Sequence, residues 1–341
     1  MFKVTYKKIS LESSRAKAII LFILILVLIV CFLGSLLLGY IKTNFTDLMN
    51  TYKAYENITE HIIIKTSRMP RALTALFVGA SLSVSGVLMQ TLTKNPMASP
   101  GLLGVNSGAA FFMVLGYSIF PSLTQGYLMG LSFVGAALAV VLVYALAGGL
   151  KGSIQTFDLT LSGSAVAAFF LSFTQVVLFK DQKTMEEIMF WMTGSVEGRS
   201  MNVLLYIVPY LILAWILAFL MAGKLNIFSL GEEIAKGLGV NTELLKIQMI
   251  LLTVILAGAS VAVAGPISLV GLIIPHLTRA LVGSEFKWAI PYSLVLGSIF
   301  LLLADIGSRF IAYPKDIPVG ALTAIIGTPF FIYIARKAEN K

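Results

Sequence analysis

The sequence predicts an all-α polytopic membrane protein with ten transmembrane helices and both termini in the cytoplasm. Apolar residues make up 58% of the 341 residues and charged residues only 12%, whereas about a quarter of the residues in soluble domains are charged. Apolar stretches of membrane-spanning length recur along the whole chain. The distribution of lysine and arginine between the connecting segments then fixes the predicted orientation.

Ten stretches are apolar enough and long enough to cross a bilayer as helices. They cover 18–41, 70–92, 101–120, 127–147, 157–179, 201–222, 245–264, 267–283, 288–310 and 317–335. The first stretch follows several lysines, as the core of a signal peptide would. It is nevertheless long enough to span the bilayer, and no small-residue cleavage site follows it, so we expect a retained helix.

The charge distribution favours cytoplasmic termini. With the N-terminus inside, the 25 Lys and Arg divide into 15 inside and 10 outside, and the 16 Asp and Glu into 7 and 9. This excess of positive charge inside is the bias that membrane insertion favours. The predicted organisation is a cytoplasmic segment 1–17, a transmembrane domain 18–335 with an outside loop 42–67 that contains some helix, and a cytoplasmic tail 336–341.

Several function classes are excluded by what the sequence lacks. No G-x-x-x-x-G-K-[ST] segment occurs, so this chain does not itself hydrolyse ATP. His61 and His276 are its only histidines and Cys31 its only cysteine, which gives no cluster for a metal or a cofactor. The net charge of +9 is not arranged as basic clusters interleaved with aromatic residues, so we expect no nucleic-acid partner. A membrane enzyme is therefore the weakest alternative.

Ionisable residues inside predicted spans are costly and mark candidate sites. Asp305 and Arg309 are four residues apart on one helix face, which predicts an ion pair between them. A proton-coupled carrier needs an unpaired carboxylate near the middle of the membrane, and the sequence offers no convincing one. A secondary carrier or a channel stays as an alternative of a different class.

Two segments at the ends of the second span are unusual. The span begins after Arg68-Met69-Pro70-Arg71, where a proline suits the first helical turn and two cations at an outer mouth can receive a partner's carboxylates. The alternative is that both arginines reach lipid headgroups. The span ends at 93–104, where two prolines and two glycines turn the chain. Between them, Gly79, Ser83 and Gly86 allow close approach of neighbouring helices.

Two further segments do not have the pattern of a generic apolar helix. The cytoplasmic segment 225–240 predicts a short amphipathic helix between Gly231 and Gly237, whose apolar residues can dock into a groove on a soluble partner. A solvated loop is the alternative. The stretch 265–279 is interrupted by glycine and proline, and broken helices of this kind usually line a cavity in the membrane.

These segments together resemble the permease family of ATP-driven importers for iron-siderophores, haem and cobalamin. The resemblance covers about 62–335, and seven motifs occur in the order and spacing of the family. They are RMPRALTALFVGASLSVSGVLMQ, NPMASPGLLG, WMTGS, LGEEIAKGLGV, SLVGLIIPHLTR, LLLADIGSR and IPVGALTAIIGTPFF. The resemblance implies a fold like that of the cobalamin-importer permease, with ten helices per subunit and a second permease subunit, identical or different, across a central pathway.

The resemblance also implies partners and site residues. The partners are two cytoplasmic ATPase subunits and one external binding protein, in a bacterial cell (inner) membrane. Positions that match the family's functional sites form three groups. They are Arg68, Arg71 and Arg309 for docking of the binding protein; Leu230, Gly231, Glu232, Glu233, Leu238 and Gly239 for coupling to the ATPase; and Asn95, Met97, Gln155 and Thr156 for the cytoplasmic gate.

Two departures from the family pattern are visible. Met97 replaces the more usual leucine, and Asp316 precedes Ile317-Pro318 where a glutamate is frequent.

The resemblance implies a permease subunit that translocates a ferric siderophore, since this is the commonest cargo of the family, with haem or cobalamin as alternatives. No residue in the chain identifies the cargo, because the binding protein is expected to select it.

Overall fold

The computed structural model describes residues 13–149, 156–180, 188–189, 191–311 and 316–339, and within these residues the regular structure is helical. The helices are α1 Ser14–Leu37, α2 Phe45–Lys53, α3 Thr59–Ile63, α4 Met69–Leu92, α5 Val105–Ile119, α6 Gln125–Leu146, α7 Thr156–Lys180, α8 Met201–Leu220, α9 Ala222–Ser229, α10 Glu232–Gly237, α11 Thr242–Thr253, α12 Ala259–Ala264, α13 Val270–Val282, α14 Phe286–Ile311 and α15 Val319–Glu339.

The structure confirms the all-helical fold and places a helix at each of the ten predicted spans. Within the described ranges, seven continuous helical segments are long and apolar enough to cross a membrane. The apolar helices Val105–Ile119, Val270–Val282 and Val319–Ile332 are shorter, and they coincide with the three remaining predictions. Of the predicted terminal segments, 1–12 and 340–341 lie outside the described residues.

Two spans contain a π-helical turn. Residues Ile64–Arg68 join α3 to α4, and Val254–Gly258 join α11 to α12, so each pair forms one continuous helical rod. A π turn adds a residue to the helical ladder and rotates the side chains that follow it. The first of these turns ends at Arg68 and therefore sets the direction of a predicted site residue.

The interruption predicted in 265–279 is present. Helix α12 ends at Ala264, the next residue Gly265 has a φ of 72° in the left-handed region, and α13 begins only at Val270. Leu269, which caps α13, has a φ of 71°, a conformation that costs a side-chain-bearing residue about 1 kcal/mol or more. The chain therefore crosses this region as two helices joined by an irregular connection.

Helix α4 lies at the centre of the molecule and packs against α13 and α14 through small residues. A Cβ atom on Gly79 would overlap the carbonyl of Gly297 on α14, and one on Gly86 would overlap the carbonyl of Gly271 on α13. These backbones touch because neither helix carries a side chain at the crossing, which is the usual device for close packing in membranes. The packing role predicted for Gly79 and Gly86 is confirmed.

Candidate functional site

A buried ionic cluster joins the ends of α4 and α14, at the predicted outer side. Asp305 of α14 is fully buried and accepts hydrogen bonds from Arg71 Nε, at 2.7 Å, and from Arg309. Arg309 also donates to the carbonyls of Ser35 and Leu38 at the end of α1, each at 2.8 Å. The predicted ion pair between Asp305 and Arg309 is confirmed, and it belongs to a larger network.

Arg68 lies beside this cluster and is satisfied by backbone groups. Its guanidinium donates to the carbonyls of Leu36, at 2.9 Å, and Leu37, at 2.8 Å, to Thr43 Oγ1, at 2.6 Å, and to the Ile41 carbonyl. Helix α1 ends at Leu37 and leaves carbonyls without helical partners. Arg68 therefore fixes the end of α1 against the start of α4.

Two carboxylates outside the helices complete the cluster. Asp316 accepts from Arg71 Nη1 and from the Tyr40 hydroxyl, each at 2.5 Å, and Glu197 lies 3.9 Å from Arg71 Nη1. Burial would raise the pKa of Asp316, but its hydrogen bonds from Tyr40 and Arg71 outweigh that effect and lower it. Burial raises the pKa of Glu197, and the Asp316 carboxylate adds to the rise against the opposing effect of Arg71.

The three predicted docking arginines are thus brought together but are not at the surface. Arg68, Arg71 and Arg309 are 5%, 8% and 4% exposed, and each donates to groups of its own chain. The most exposed charged group of the cluster is Glu197, whose side chain is 41% accessible. Their docking role stays a prediction. For a carboxylate of a partner protein to pair with these arginines, it would have to replace a carboxylate of this chain.

An open cavity of about 620 Å³ adjoins the cluster. Its walls combine apolar and aromatic side chains with a few polar groups, as ligand pockets generally do. The lining residues are Met113, Tyr117, Gln125, Leu128, Ile188, Trp191, Glu197, Gly198, Arg199 and Asp316. Arg199 donates to the Ser195 carbonyl at 3.0 and 3.2 Å, and burial lowers its pKa to about 10.

Two of the quoted motifs, WMTGS and the one that begins α15, meet the end of α12 through their backbones. Ser195 N donates to the Ala264 carbonyl at 2.7 Å, and Gly320 N donates to the Gly194 carbonyl at 2.9 Å. A Cβ on Gly265 would overlap the carbonyl of Trp191. The broken helix, the WMTGS segment and the start of α15 therefore pack as one unit.

Sequence reasoning missed Glu197, Arg199 and the cavity. The signal for them was present in part, since Trp191 and Gly194 lie in the WMTGS motif and Asp316 stood out as a departure. Their proximity was not visible, because 119 residues separate Glu197 from Asp316 in the chain.

The predicted coupling segment forms a rigid, exposed corner. The short helix predicted after Gly231 is present as α10. The φ of Gly231, 139°, allows the sharp turn between α9 and α10. Leu230 lies before this turn, and Ile234 and Leu238 follow it four residues apart; the three are 64%, 52% and 60% exposed. These three exposed apolar residues at the corner are here called the coupling stripe.

A buried lysine holds this corner in place. Lys246 of α11 is 5% exposed and donates to Glu232 at 2.9 Å and to Glu243 at 3.3 Å. Burial alone would raise the pKa of Glu232, but the hydrogen bonds from Lys246 and Lys236 outweigh it and lower the pKa. The carboxylate of Glu232 thus ties α10 to α11, while the coupling stripe stays accessible to a partner.

The predicted gate residues are described in part. Met97 N donates to Asn95 Oδ1 at 2.9 Å, which forms a tight turn at the end of α4. Gln155 and the side chain of Thr156 lie outside the described residues, although α7 begins at Thr156. Gly163 of α7 contacts the Leu102 carbonyl so closely that a Cβ would overlap it. The turn after Met97 therefore packs against α7, and the gate assignment stays a prediction.

Comparison with known proteins places this architecture in a family. The model of the FecCD transport family matches residues 26–337, which is most of the chain. The chain belongs to the FecCD transport family. Its sequence is 45% identical to YfiZ of Bacillus subtilis, named "Probable siderophore transport system permease protein", over 96% of this chain and 99% of that relative.

Other relatives carry related names. The "Fe(3+)-citrate import system permease protein YfmD" of Bacillus subtilis is 40% identical over 97% of this chain and 98% of its own length. The "Fe(3+) dicitrate transport system permease protein FecC" of Escherichia coli strain K12 is 37% identical over 81% of this chain and 83% of its own length. Because these relatives are named as transport permeases, the prediction of a permease rather than an enzyme is confirmed.

A solved structure supports the same placement. It is described as "An inward-facing conformation of a putative metal-chelate type ABC transporter", and it superposes with a TM-score of 0.83 at 31% identity over 94% of this chain and 99% of its own. This chain is therefore a multi-span membrane permease of the FecCD transport family, whose relatives are named as permeases of iron-chelate import systems.

Proposed function

We propose that this FecCD permease is the membrane-spanning subunit of an ATP-driven importer that translocates a ferric siderophore across the bacterial cell membrane. The observation that carries the proposal is the 45% identity to a relative named for siderophore transport over almost the full length of both chains. The relatives named for ferric citrate support an iron chelate as the cargo class. Haem or cobalamin through the same machinery is the alternative.

The proposal includes ten spans with both termini in the cytoplasm. The three shorter apolar helices support this count, since each lies between longer spans or follows them. The positive-inside bias supports the orientation. It places the coupling stripe in the cytoplasm and the buried ionic cluster at the outer face.

A second permease subunit is proposed to pack beside α7. This helix is apolar, yet only 28% of its most apolar 18 residues are buried within one chain. Its exposed surface mixes Phe169 and Phe173 with Ser164, Ser172 and Gln175. Exposed hydroxyl and amide groups suit a wall facing a wet pathway or another helix better than a wall facing lipid.

Two cytoplasmic ATPase subunits are proposed to bind the coupling segment, one on each permease. Ile234 and Leu238 give apolar anchors along a short helix, which is the pattern of helix-in-groove recognition, and Leu230 adds a third anchor at the turn before it. The ion pairs of Lys246 make the corner rigid enough to transmit a displacement. ATP binding would then favour one arrangement of the permease pair, and hydrolysis would release it. Asn95, Met97, Gln155 and Thr156 are the proposed cytoplasmic gate of that cycle.

An external binding protein is proposed to dock at the outer cluster through Arg68, Arg71 and Arg309. Because these cations are internally paired, we propose that an acidic residue of the binding protein displaces Glu197, the more exposed and more distant partner of Arg71. Exchange of one carboxylate for another leaves the charge of the cluster unchanged, and charge pairs of this kind mainly govern orientation and encounter rate.

The cargo is tested by uptake in cells that lack this gene and in complemented cells. Labelled ferric siderophores of hydroxamate, catecholate and citrate type are compared with haem and cobalamin. Loss of one siderophore class, restored by complementation, is expected. Selective loss of haem or cobalamin uptake would instead establish the alternative cargo.

The coupling assignment is tested at Leu238. Replacing this exposed leucine with glutamate puts a charge into the proposed contact, so Leu238→Glu should prevent co-purification of the ATPase subunit and abolish uptake. Leu238→Met keeps an apolar side chain and serves as the matched control. Normal ATPase association in Leu238→Glu would contradict the assignment.

The docking assignment is tested with two substitutions of opposite expected effect. Arg71→Glu should abolish uptake and binding-protein association, with the amount of protein in the membrane measured to detect misfolding. Glu197→Gln removes only the competing carboxylate and should strengthen association with the binding protein. Weaker association in Glu197→Gln would refute the exchange.

A further inference from the structure

Helix α2 has three distinct faces, and one of them is apolar and uncovered. At about 100° per residue, Leu48 and Thr51 share one side of this helix and are buried, at 7% and 2% exposed. Phe45, Met49 and Tyr52 share the next sector and are 58%, 39% and 57% exposed. The three exposed apolar residues are called the α2 stripe.

The third face of α2 is polar. Thr46, Asn50 and Lys53 are exposed and follow the α2 stripe around the helix. A helix that only packed on protein and faced water would need two sectors, one buried and one polar. The exposed apolar sector between them fits neither protein nor water and requires a third environment, such as lipid. A helix that lies at a membrane surface on top of protein would show this order of buried, apolar and polar sectors.

The chain leading into α2 connects this stripe with a lipid-facing surface. Helix α1 is the most apolar of the described spans, and only 17% of its most apolar 18 residues are buried, so most of its surface is open to lipid. Its exposed apolar character continues past its end through Leu38, Tyr40 and Ile41, which are 47%, 42% and 38% exposed. Phe45, the first residue of α2, comes shortly after Ile41 in the chain.

The residues beside the stripe are those that membrane interfaces favour. Tyrosines are enriched at the headgroup level, and Tyr52 and Tyr55 are both exposed, with the Lys65 ammonium 4.6 Å from the Tyr55 ring centre. Exposed lysines can extend from an apolar face toward phosphates, and Lys53 borders the stripe. Aromatic and basic residues on one edge are typical of an interfacial helix.

From these observations we infer that α2 is an interfacial helix whose Phe45, Met49 and Tyr52 side chains insert into the lipid headgroup and acyl boundary. The partner of this surface is the bilayer itself. The inference adds an anchor to the permease and does not depend on its cargo. Since α2 packs on α3 and on the end of α1, the anchor sets the depth of the segment that leads to Arg68.

The test measures which environment each face of α2 meets. Single cysteines are introduced by Phe45→Cys, Met49→Cys and Tyr52→Cys on the stripe, and by Thr46→Cys and Asn50→Cys on the polar face, in a Cys31→Ala background. The full chain is spin-labelled and placed in lipid nanodiscs. Collision rates of each label with oxygen, which concentrates in lipid, and with a water-soluble nickel chelate are then measured.

The ratio of oxygen to nickel collision rates should be several-fold higher on the stripe than on the polar face. Equal, water-like ratios on both faces would overturn the inference. Low collision rates with both reagents on the stripe would also overturn it, because that result means that protein, either a second permease or another subunit, covers the surface. Retention of uptake by the cysteine variants verifies that the labelled chains are folded.

Discussion

Replacing Asp305 with asparagine should destabilise the protein strongly. Asp305 is fully buried, and its carboxylate accepts from both Arg71 and Arg309. Asparagine keeps the size of the side chain but removes the charge, so two buried guanidinium groups lose a counter-charge. Breaking a buried ion pair on one side costs about 3–5 kcal/mol. Because Asp316 still pairs with Arg71, we expect Asp305→Asn to lie near the lower limit, at about 3 kcal/mol.

The matched control is Glu285→Gln, where the carboxylate that is removed is exposed. Glu285 lies 3.8 Å from Lys17, and its side chain is 48% exposed although that of Lys17 is only 11% exposed; because the carboxylate is solvated and the contact is long, the cost should stay within about 0–1 kcal/mol. Equilibrium unfolding of the purified chain in mixed micelles of mild detergent and dodecyl sulfate measures both variants. A difference of about 3 kcal/mol corresponds to roughly a hundredfold change in the unfolding equilibrium.

A second variant separates the lost ion pair from other effects of the substitution. Asp305→Asn combined with Arg309→Gln removes one of the two stranded charges, so it should be less destabilised than the sum of the two single variants. The reasoning would be refuted if Asp305→Asn differed from Glu285→Gln by less than about 1 kcal/mol, or if the double variant were strictly additive.

Three further predictions concern packing and titration, all measured by the same unfolding assay. Gly86→Ala should destabilise by about 1–3 kcal/mol, since its Cβ overlaps a backbone carbonyl, whereas Gly130→Ala, where nothing lies within 4 Å, should not. The pKa of Glu197 is raised above its ordinary value of 4.5 in the folded protein. Wild-type stability should therefore fall as pH rises from 4.5 through this raised pKa, and Glu197→Gln should remove the fall. Glu232→Gln leaves the buried Lys246 with a weaker partner. Its cost should be present above pH 4.5 and vanish as pH falls through the lowered pKa of Glu232, and a cost that persisted at low pH would contradict the role of the carboxylate.

The sequence by itself determined the all-helical fold class and the positions of the apolar helices that lie at the ten predicted stretches. The length of an apolar stretch and the residues that end it determine where a helix lies, so 70–92 could be predicted as a helix. Small residues within such a helix mark where a neighbouring helix can approach closely, so Gly79 and Gly86 could be predicted as contact points. The pair Asp305 and Arg309 was visible for the same reason, since four residues of helix bring two side chains onto one face. The short helix after Gly231 followed from its two bounding glycines.

Only the tertiary structure decided what those residues face. The sequence alone suggests that Arg71 is an exposed cation at the start of a helix. Its partners Asp305 and Asp316 lie more than 230 positions away in the chain. The cavity between Trp191 and Asp316 and the sector order of α2 likewise depend on packing between distant segments. Spacing along a helix fixes which side chains share a face, whereas the folding of the chain fixes whether that face meets lipid, water or a buried charge.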